Sequence, residues 1–467
     1  MSEAYDSNEV QGNILRGYRN NMVRYLILEV SDLAAARRFL AASADGTDAD
    51  VPKITRSAWW ATKPDVCFNI GVTYEGLRAL GTPGECLDSF PTEFVEGMRA
   101  RAMKLGDFGS SAPEHWPAPF DQPERVHIIA SIYVDEERHL DVVQGQVARA
   151  FNVIGVRNGR NLADQKVFFG YQDSISQPKF RHVDDPEQAA ANEPTDPLGT
   201  VLLGYPTRMQ GLEFSIPQPR ELGFNGAFNA FRILAQDAQG FETYLDKAAD
   251  MLLTHPRAKD LVVPGTEDRI GAGLDRHGAL REVVAAQMCG RWRNGMPYET
   301  SPDAQWPKSE EPGALTNFDY HHGSRCPAGA HMRRVNPRGG PIVQRIANYT
   351  RRLVRRGMSY GPDFDPANPD SQERGLLGNF IGANFGAQFE AVMCDWLNLG
   401  LQDPTVTGSN DPLIGANSPE TSWFDLTLPK EGTIRLRGFP RFVTTRGGAY
   451  TFLPSLSAIR YLSRLTG

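Results

Sequence analysis

One stretch of this chain concentrates residues that could do chemistry. "RCPAGAHMRRVNPRG", Arg325 to Gly339, places His331 among Arg325, Arg333, Arg334 and Arg338. Permanent positive charges disfavour imidazolium, so the run is expected to hold His331 neutral, the form that ligates metals. "CPAGAH" puts small residues before the histidine, where a large flat ligand could approach. "NPR" after it is a turn signal that would aim Arg338 back across the site. A ferric porphyrin fits this pattern: it takes an axial imidazole, an apolar slot and cations for its propionates, and arginine meets carboxylates bidentately. Cys326 lies near enough to be weighed as a ligand, although a small buried residue explains it as well.

Two further stretches carry candidate acid–base and cationic groups. In "FFGYQDSISQP", Phe168 to Pro178, the apolar run "KVFFGY" reads as β-like and ends in Gln172 and Asp173. A carboxylate at the end of a buried strand would suit proton transfer; a turn-forming Asp is the alternative. In "RRLVRRGMSYGP", Arg351 to Pro362, the arginine pairs around Leu353 and Val354 read as a helix ending at Gly357. That would leave Arg355 and Arg356 at a helix end, where one could enter a cavity or both could be solvated.

These residues need a scaffold, and the chain suggests a duplicated one. "RYLILEVSDLAAARRFLAASA", from Arg24, and "NAFRILAQDAQGFETYLDKAA", from Asn229, both read as strand, Asp-bearing turn and amphipathic helix. "FNIGVTYEGLRALG", from Phe68, and "NFIGANFGAQFEAVM", from Asn379, form a second pair in the same order. Duplication predicts an α+β fold of two similar domains, each an antiparallel sheet with helices packed on one face. "VDDPEQAAANEPTDPLG", Val183 to Gly199, reads as a connecting loop, so the expected domains are 1–220 and 221–467. Long Pro/Gly-rich stretches, such as the one from Asn294, suggest chain that wraps a ligand.

The totals are those of an ordinary globular protein: 467 residues, 40% hydrophobic, 22% charged, net charge −7. The acidic balance argues against nucleic acid and anionic membranes as partners. No run approaches the eighteen apolar residues of a membrane span. The start, "MSEAYDSNEVQGNILRG", has no export signal, and five scattered cysteines read as reduced thiols, so a cytoplasmic location is expected.

Seven blocks in order resemble the dye-decolourising haem peroxidases: "VQGNILRG" (Val10), "FFGYQDSISQP" (Phe168), "LLGYP" (Leu202), "GRWRNGMP" (Gly290), "RCPAGAHMRRVNPR" (Arg325), "RRGMSYGP" (Arg355) and "GGAYTFLPSLSA" (Gly447). The resemblance implies two ferredoxin-like domains with haem b held mainly by the second. It makes His331 the proximal iron ligand and Arg338 a propionate partner. Asp173 becomes the distal acid–base residue, with Ser174 and Ile175 beside the cofactor. Arg355 becomes the distal arginine, with Arg356 as the fallback in register. Asp395 and Asn398 are candidates for the hydrogen-bond partner of His331. The implied activity reduces hydrogen peroxide and oxidises a small aromatic or dye-like donor in one-electron steps. One departure stands out: the family motif has glycine where this chain has Ser174, so a positive φ there would be strained. The alternatives are a haem protein of this fold with weak or diverted peroxidase activity, such as a carrier or a specific metabolite oxidase, and a cofactor-free interaction module.

Overall fold

The computed structural model describes residues 5–465, except 181–182, 184–194, 210, 306, 308–310, 312, 321–322 and 340–349. Of the expected connecting loop, only Val183 and residues 195–199 fall among the described residues.

The first half supplies strands β1 (Met22–Glu29), β2 (Val66–Val72), β3 (Ile128–Val134) and β4 (Asn152–Arg160). The second supplies β5 (Ala227–Gln236), β6 (Val354–Arg355), β7 (Met358–Tyr360), β8 (Gly375–Gly382) and β11 (Val443–Leu453); β9 (Trp423–Thr427) and β10 (Thr433–Arg437) pair only with each other. In the first half β1 lies between β3 and β4, and β2 flanks β3, all antiparallel. In the second, β5 lies between β11 and β8, with β6 and β7 on the far side of β8. Each half therefore has the spatial order fourth, first, third, second strand, which is the ferredoxin-like order the family resemblance implies.

The two sheets join at both edges. Phe452 of β11 pairs with Val72 of β2, and Ser359 of β7 pairs with Arg160 of β4, so the ladder closes on itself. Gln11 staples the first seam: its amide nitrogen donates to the Ile70 and Pro454 carbonyls, and its oxygen accepts from the Ile70 N–H. Closure explains why "MVRYLILE" and "IIASIYV" are apolar almost throughout rather than alternating. One face looks into the barrel and the other is covered by helices, so both faces are buried.

The first repeat pair occupies equivalent places. Helix α1 (Leu33–Asp45) follows β1 and is capped by Asp32, whose carboxylate accepts from the Ala35 N–H. Helix α2 (Ala238–Thr254) follows β5 and is capped by Asp237, which accepts from Gly240. The second pair is not equivalent. "FNIGV" is β2, the second strand of its half, whereas "NFIGA" ends β8, the third strand of its half. Shared strand-then-helix patterning, not shared position, made those segments alike. The helical stretch after β8 also departs from an α-helix: Phe385–Glu390 and Val392–Asn398 wind with wide π-type turns.

A second apolar core lies outside the barrel and supports the chemistry. It is built on α2, α3 (Arg276–Cys289) and the β9–β10 hairpin. The same cluster takes in Phe169 and Tyr171, just before Asp173, and Cys326 and Ala330, just before His331. Tyr171 also donates a hydrogen bond from its hydroxyl to the Ala285 carbonyl of α3, at 2.7 Å. Each such buried large side chain is worth roughly 1.5–3 kcal/mol. Both chemical stretches are thus anchored on one helix layer.

Candidate active site

His331 opens the short helix α4 (His331–Val335). Its position is set by Arg334, which is 1% exposed and donates to the carbonyls of Gly329 (3.0 Å), Trp396 (2.9 Å) and Ser409 (3.0 Å), and to the Ser409 hydroxyl (2.6 Å). These bonds draw residues 396–409 against the helix and deliver Asp411 to the imidazole. His331 Nδ1 lies 3.0 Å from Asp411 Oδ2. The other carboxylate oxygen accepts from the Leu413 and Ile414 N–H groups, both at 2.9 Å. Asp411 is fully buried, which alone would raise its pKa; His331, Arg334 and the Ile414 N–H outweigh that and hold it below the usual aspartate value. The carboxylate orients the ring through Nδ1, so Nε2 is the nitrogen turned toward a metal. Among the described residues Nε2 has no hydrogen-bond partner.

The partner of His331 is therefore neither of the two expected residues. Asp395 pairs with Arg351 at 2.8 Å. Asn398 donates to the Met393 carbonyl and accepts from the Ala416 N–H. Both lie on the late helical stretch; Asp411 lies beyond it, in "SNDPLIG", eighty residues from His331. An Asp before Pro reads locally as a turn former, and nothing local marks its long-range role.

The basic run around His331 does not form a ring of free cations. Arg325 pairs with Asp303, Arg333 donates to the Cys326 carbonyl, and Arg334 is consumed as described. Arg338 turns toward the Thr316–Phe318 segment. It is buried, with φ +49, its guanidinium lies 4.1 Å from the Phe318 ring centre, and Nη1 donates to the Thr316 and Phe318 carbonyls. Nε and Nη2 have no partner among the described residues. Cys326 is buried and its thiol is pushed up to about 12 by burial, which suits packing rather than ligation.

Across the site, "KVFFGY" is not the buried strand its composition suggests. Gly170, with φ +81, donates to the Val167 carbonyl and turns the chain, and only Lys166 and Gln172 bridge. A Cβ at Gly170 would meet Arg293 Nη1 at 2.2 Å, so only glycine lets the turn pack there. Asp173 consequently sits on an exposed turn, its Oδ1 accepting from the Ser174 N–H at 2.6 Å. Ser174 has φ +58, the left-handed region anticipated if it replaces a functional glycine. Ile175 packs on the other side of the turn, against Gly295, where an added Cβ would stand 2.6 Å from Ile175 Cδ1.

Arg355 lies on a strand, not at a helix end. Leu353 and Val354 are followed by pairing of Arg355 with Phe380. The Arg355 guanidinium donates to the Ser176 carbonyl of the Asp173 turn and to Leu353 O at 3.2 Å. The residue keeps accessible surface, yet burial is the largest cause of its lowered pKa, about 10. Neighbouring Arg352, Arg356 and Arg291 lower it further, and Asp173 opposes them. Arg356 leaves in the other direction, donating to the Asn13 carbonyl at 2.9 Å, which removes it as the fallback. Arg291 feels Arg338 as well as Arg355, so the two sides share one electrostatic environment.

The described residues contain no group of three or more His, Cys, Asp or Glu able to hold a bare metal ion. A lone imidazole backed by a buried carboxylate suits a metal that brings its own equatorial ligands, and the donor set fits a haem.

Residues 9–155 match the family model for the DyP dimeric alpha+beta barrel domain. A solved dye-decolorizing peroxidase in complex with 2,6-dimethoxyphenol superposes with a TM-score of 0.79 at 26% identity, covering 98% of this chain and 100% of that one. This is the fold of the dye-decolorizing peroxidases. The likeness in sequence to dye-decolorizing peroxidases also runs through nearly the whole chain. The multifunctional dye peroxidase DyP2 of an Amycolatopsis species is 28% identical, over 97% of this chain and 95% of that protein. The dye-decolorizing peroxidase AauDyP1 of Auricularia auricula-judae is 26% identical, over 97% and 86%.

Proposed function

We propose that the chain is a haem b peroxidase that reduces hydrogen peroxide and oxidises small aromatic or dye-like donors. The single observation that carries this reading is His331, with Nδ1 committed to buried, ionised Asp411 and Nε2 left as a metal donor. Resemblance to dye peroxidases along nearly all of the chain supports the same activity.

In this reading His331 Nε2 would hold the haem iron, and Arg338 would bind a propionate through its uncommitted N–H groups. Ser174 and Ile175 would lie beside the bound cofactor. Bound haem supplies the redox centre at which peroxide accepts two electrons, drawn one at a time from the donor. Asp411 keeps the Nδ1 proton in place and strengthens His331 as a donor. Asp173 takes the proton from one peroxide oxygen and returns it to the other, so that the departing oxygen leaves as water. Arg355 offers fixed N–H donors to the charge that develops on that oxygen. Acid–base transfer of this kind contributes roughly 10²–10⁴-fold, and a preorganised cationic donor a comparable factor.

We assign the two ferredoxin-like halves, 1–220 and 221–467, as the domains of this enzyme. A cytoplasmic location suits five free cysteines, and no helix among the described residues is long and apolar enough to cross a membrane.

The test is a visible spectrum of the purified haem-loaded protein before and after one equivalent of peroxide. A spectrum unchanged by peroxide would reject peroxidase activity, and a protein that takes up no haem would reject the cofactor. One observation favours the alternative of weak or diverted activity: the strained Ser174 beside Asp173. If the pocket has been repurposed, Ser174→Gly raises the peroxide rate sharply; if not, the rate stays close to that of the parent.

A further inference from the structure

Strand β6 pairs with β8 on one side, and among the described residues no strand covers its other side. The Arg355 N–H and C=O nevertheless have partners there. The Gln177 side chain accepts from the Arg355 N–H at 3.0 Å and donates to the Arg355 carbonyl at 2.9 Å. One amide thus imitates a residue of a neighbouring strand, meeting both main-chain groups at once. The guanidinium of the same arginine returns to the Ser176 carbonyl, one residue before Gln177. Three bonds therefore tie Arg355 to the turn that carries Asp173. The other end of that turn is fixed separately, by the Gln172 N–H to the Arg293 carbonyl at 2.9 Å and by Ile175 against Gly295.

We propose that Gln177 is a positioning residue that locks the strand of Arg355 to the turn of Asp173, so that the two side chains meet peroxide as one preset unit. The inference rests on the distal roles given to Asp173 and Arg355 above. Its physical basis is that neither partner is rigid alone. Arg355 ends a two-residue strand at an open edge, and Asp173 sits on an exposed turn with a left-handed residue after it. Strand pairing would normally supply rigidity, and here a side chain supplies it. Misplacing a catalytic group by about 1 Å can cost on the order of 10²-fold in rate. A side-chain amide at this point has leverage out of proportion to its two hydrogen bonds.

The test uses the haem-loaded full chain and Gln177→Met, which keeps the length of the side chain but removes both bonds. Three quantities are read: haem uptake, cyanide affinity from the Soret shift, and the second-order rate with peroxide. The expected result is unchanged haem uptake, a peroxide rate lower by about 10–100-fold, and cyanide binding weaker by about 10-fold. In the Arg355→Leu background, Gln177→Met is expected to add nothing further, because Gln177 acts through Arg355. Peroxide rate and cyanide affinity within about twofold of the parent, or losses that add in full to those of Arg355→Leu, would overturn the proposal. Should Gln177→Met fail to take up haem, Gln177→Glu decides. It keeps the acceptor for the Arg355 N–H and loses the donor to its carbonyl, so a loss of at least about threefold supports the lock, and the parent rate overturns it. Failure of the underlying reading looks different: Arg355→Leu itself would then leave the peroxide rate and cyanide affinity unchanged.

Discussion

The two sides of the site are built to opposite standards. The His331 side is over-determined: a fully buried carboxylate, a buried arginine making four hydrogen bonds, and a helix start hold one imidazole. The Asp173 side is assembled from an exposed turn, a residue in the left-handed region and a two-residue edge strand. The difference teaches where each task can tolerate motion. In the proposed reading, ligation needs one atom at a fixed place, and the contacts of buried Asp411 and Arg334 hold it there. Proton transfer needs access for peroxide, so its groups must face open space and be steadied by local hydrogen bonds.

Mutations should separate the two sides. The largest effect belongs to His331→Ala, which removes the only strong donor in the donor set; haem uptake and the Soret band are expected to be lost, and a retained axial-ligand spectrum would move the iron site elsewhere. Next come Asp173→Ala and Arg355→Leu. Each is expected to lower the second-order rate with peroxide by roughly 10²–10⁴-fold while leaving haem content intact, as stopped-flow and absorbance would report. If either instead releases haem, the contrast between a holding side and a reacting side breaks down.

A smaller effect is expected from Asp411→Asn, which preserves an acceptor for Nδ1–H but removes the charge. Outer-shell changes of this kind typically cost about 10–100-fold in metal affinity or activity. Haem titration and the iron reduction potential measure it, with the potential expected to rise because the imidazole becomes a poorer donor. An unmoved potential would show that Asp411 only orients the ring. The smallest effect is Ser174→Gly. Relief of the left-handed conformation should stabilise the protein by about 1 kcal/mol in denaturant unfolding. A destabilised variant would mean that the Ser174 side chain makes contacts worth more than the strain.

Much of this was legible in the chain. The β1–α1 and β5–α2 segments share an Asp-capped start and a helical period, and both sit at equivalent places in the two halves. His331, Asp173, Arg355 and Arg338 were each picked out by local pattern and family resemblance, and their roles in the site are those proposed above. Legibility failed where a local pattern had two readings. "KVFFGY" has strand composition, but Gly170 takes φ +81 and turns it; "RRLVRRG" has helix-like charge spacing, but Val354 and Arg355 are drawn into pairing with β8. "FNIGV" and "NFIGA" looked like copies because any strand leading into a helix carries that alternation.

The sequence by itself determined the secondary elements of strong period, the duplicated order, and the residue types available for ligation and proton transfer. Those depend on interactions within a few residues, where propensity and capping act. Only the tertiary structure decided that Asp411, rather than Asp395 or Asn398, reaches His331; that the arginines of the basic run disperse to separate carbonyls and carboxylates; and that a glutamine amide closes the edge beside Arg355. The His331–Asp411 and Gln177–Arg355 pairings join residues 80 and 178 positions apart. They are chosen by which polar groups would otherwise be left unpaired once the chain has packed, a condition that exists only in the folded molecule.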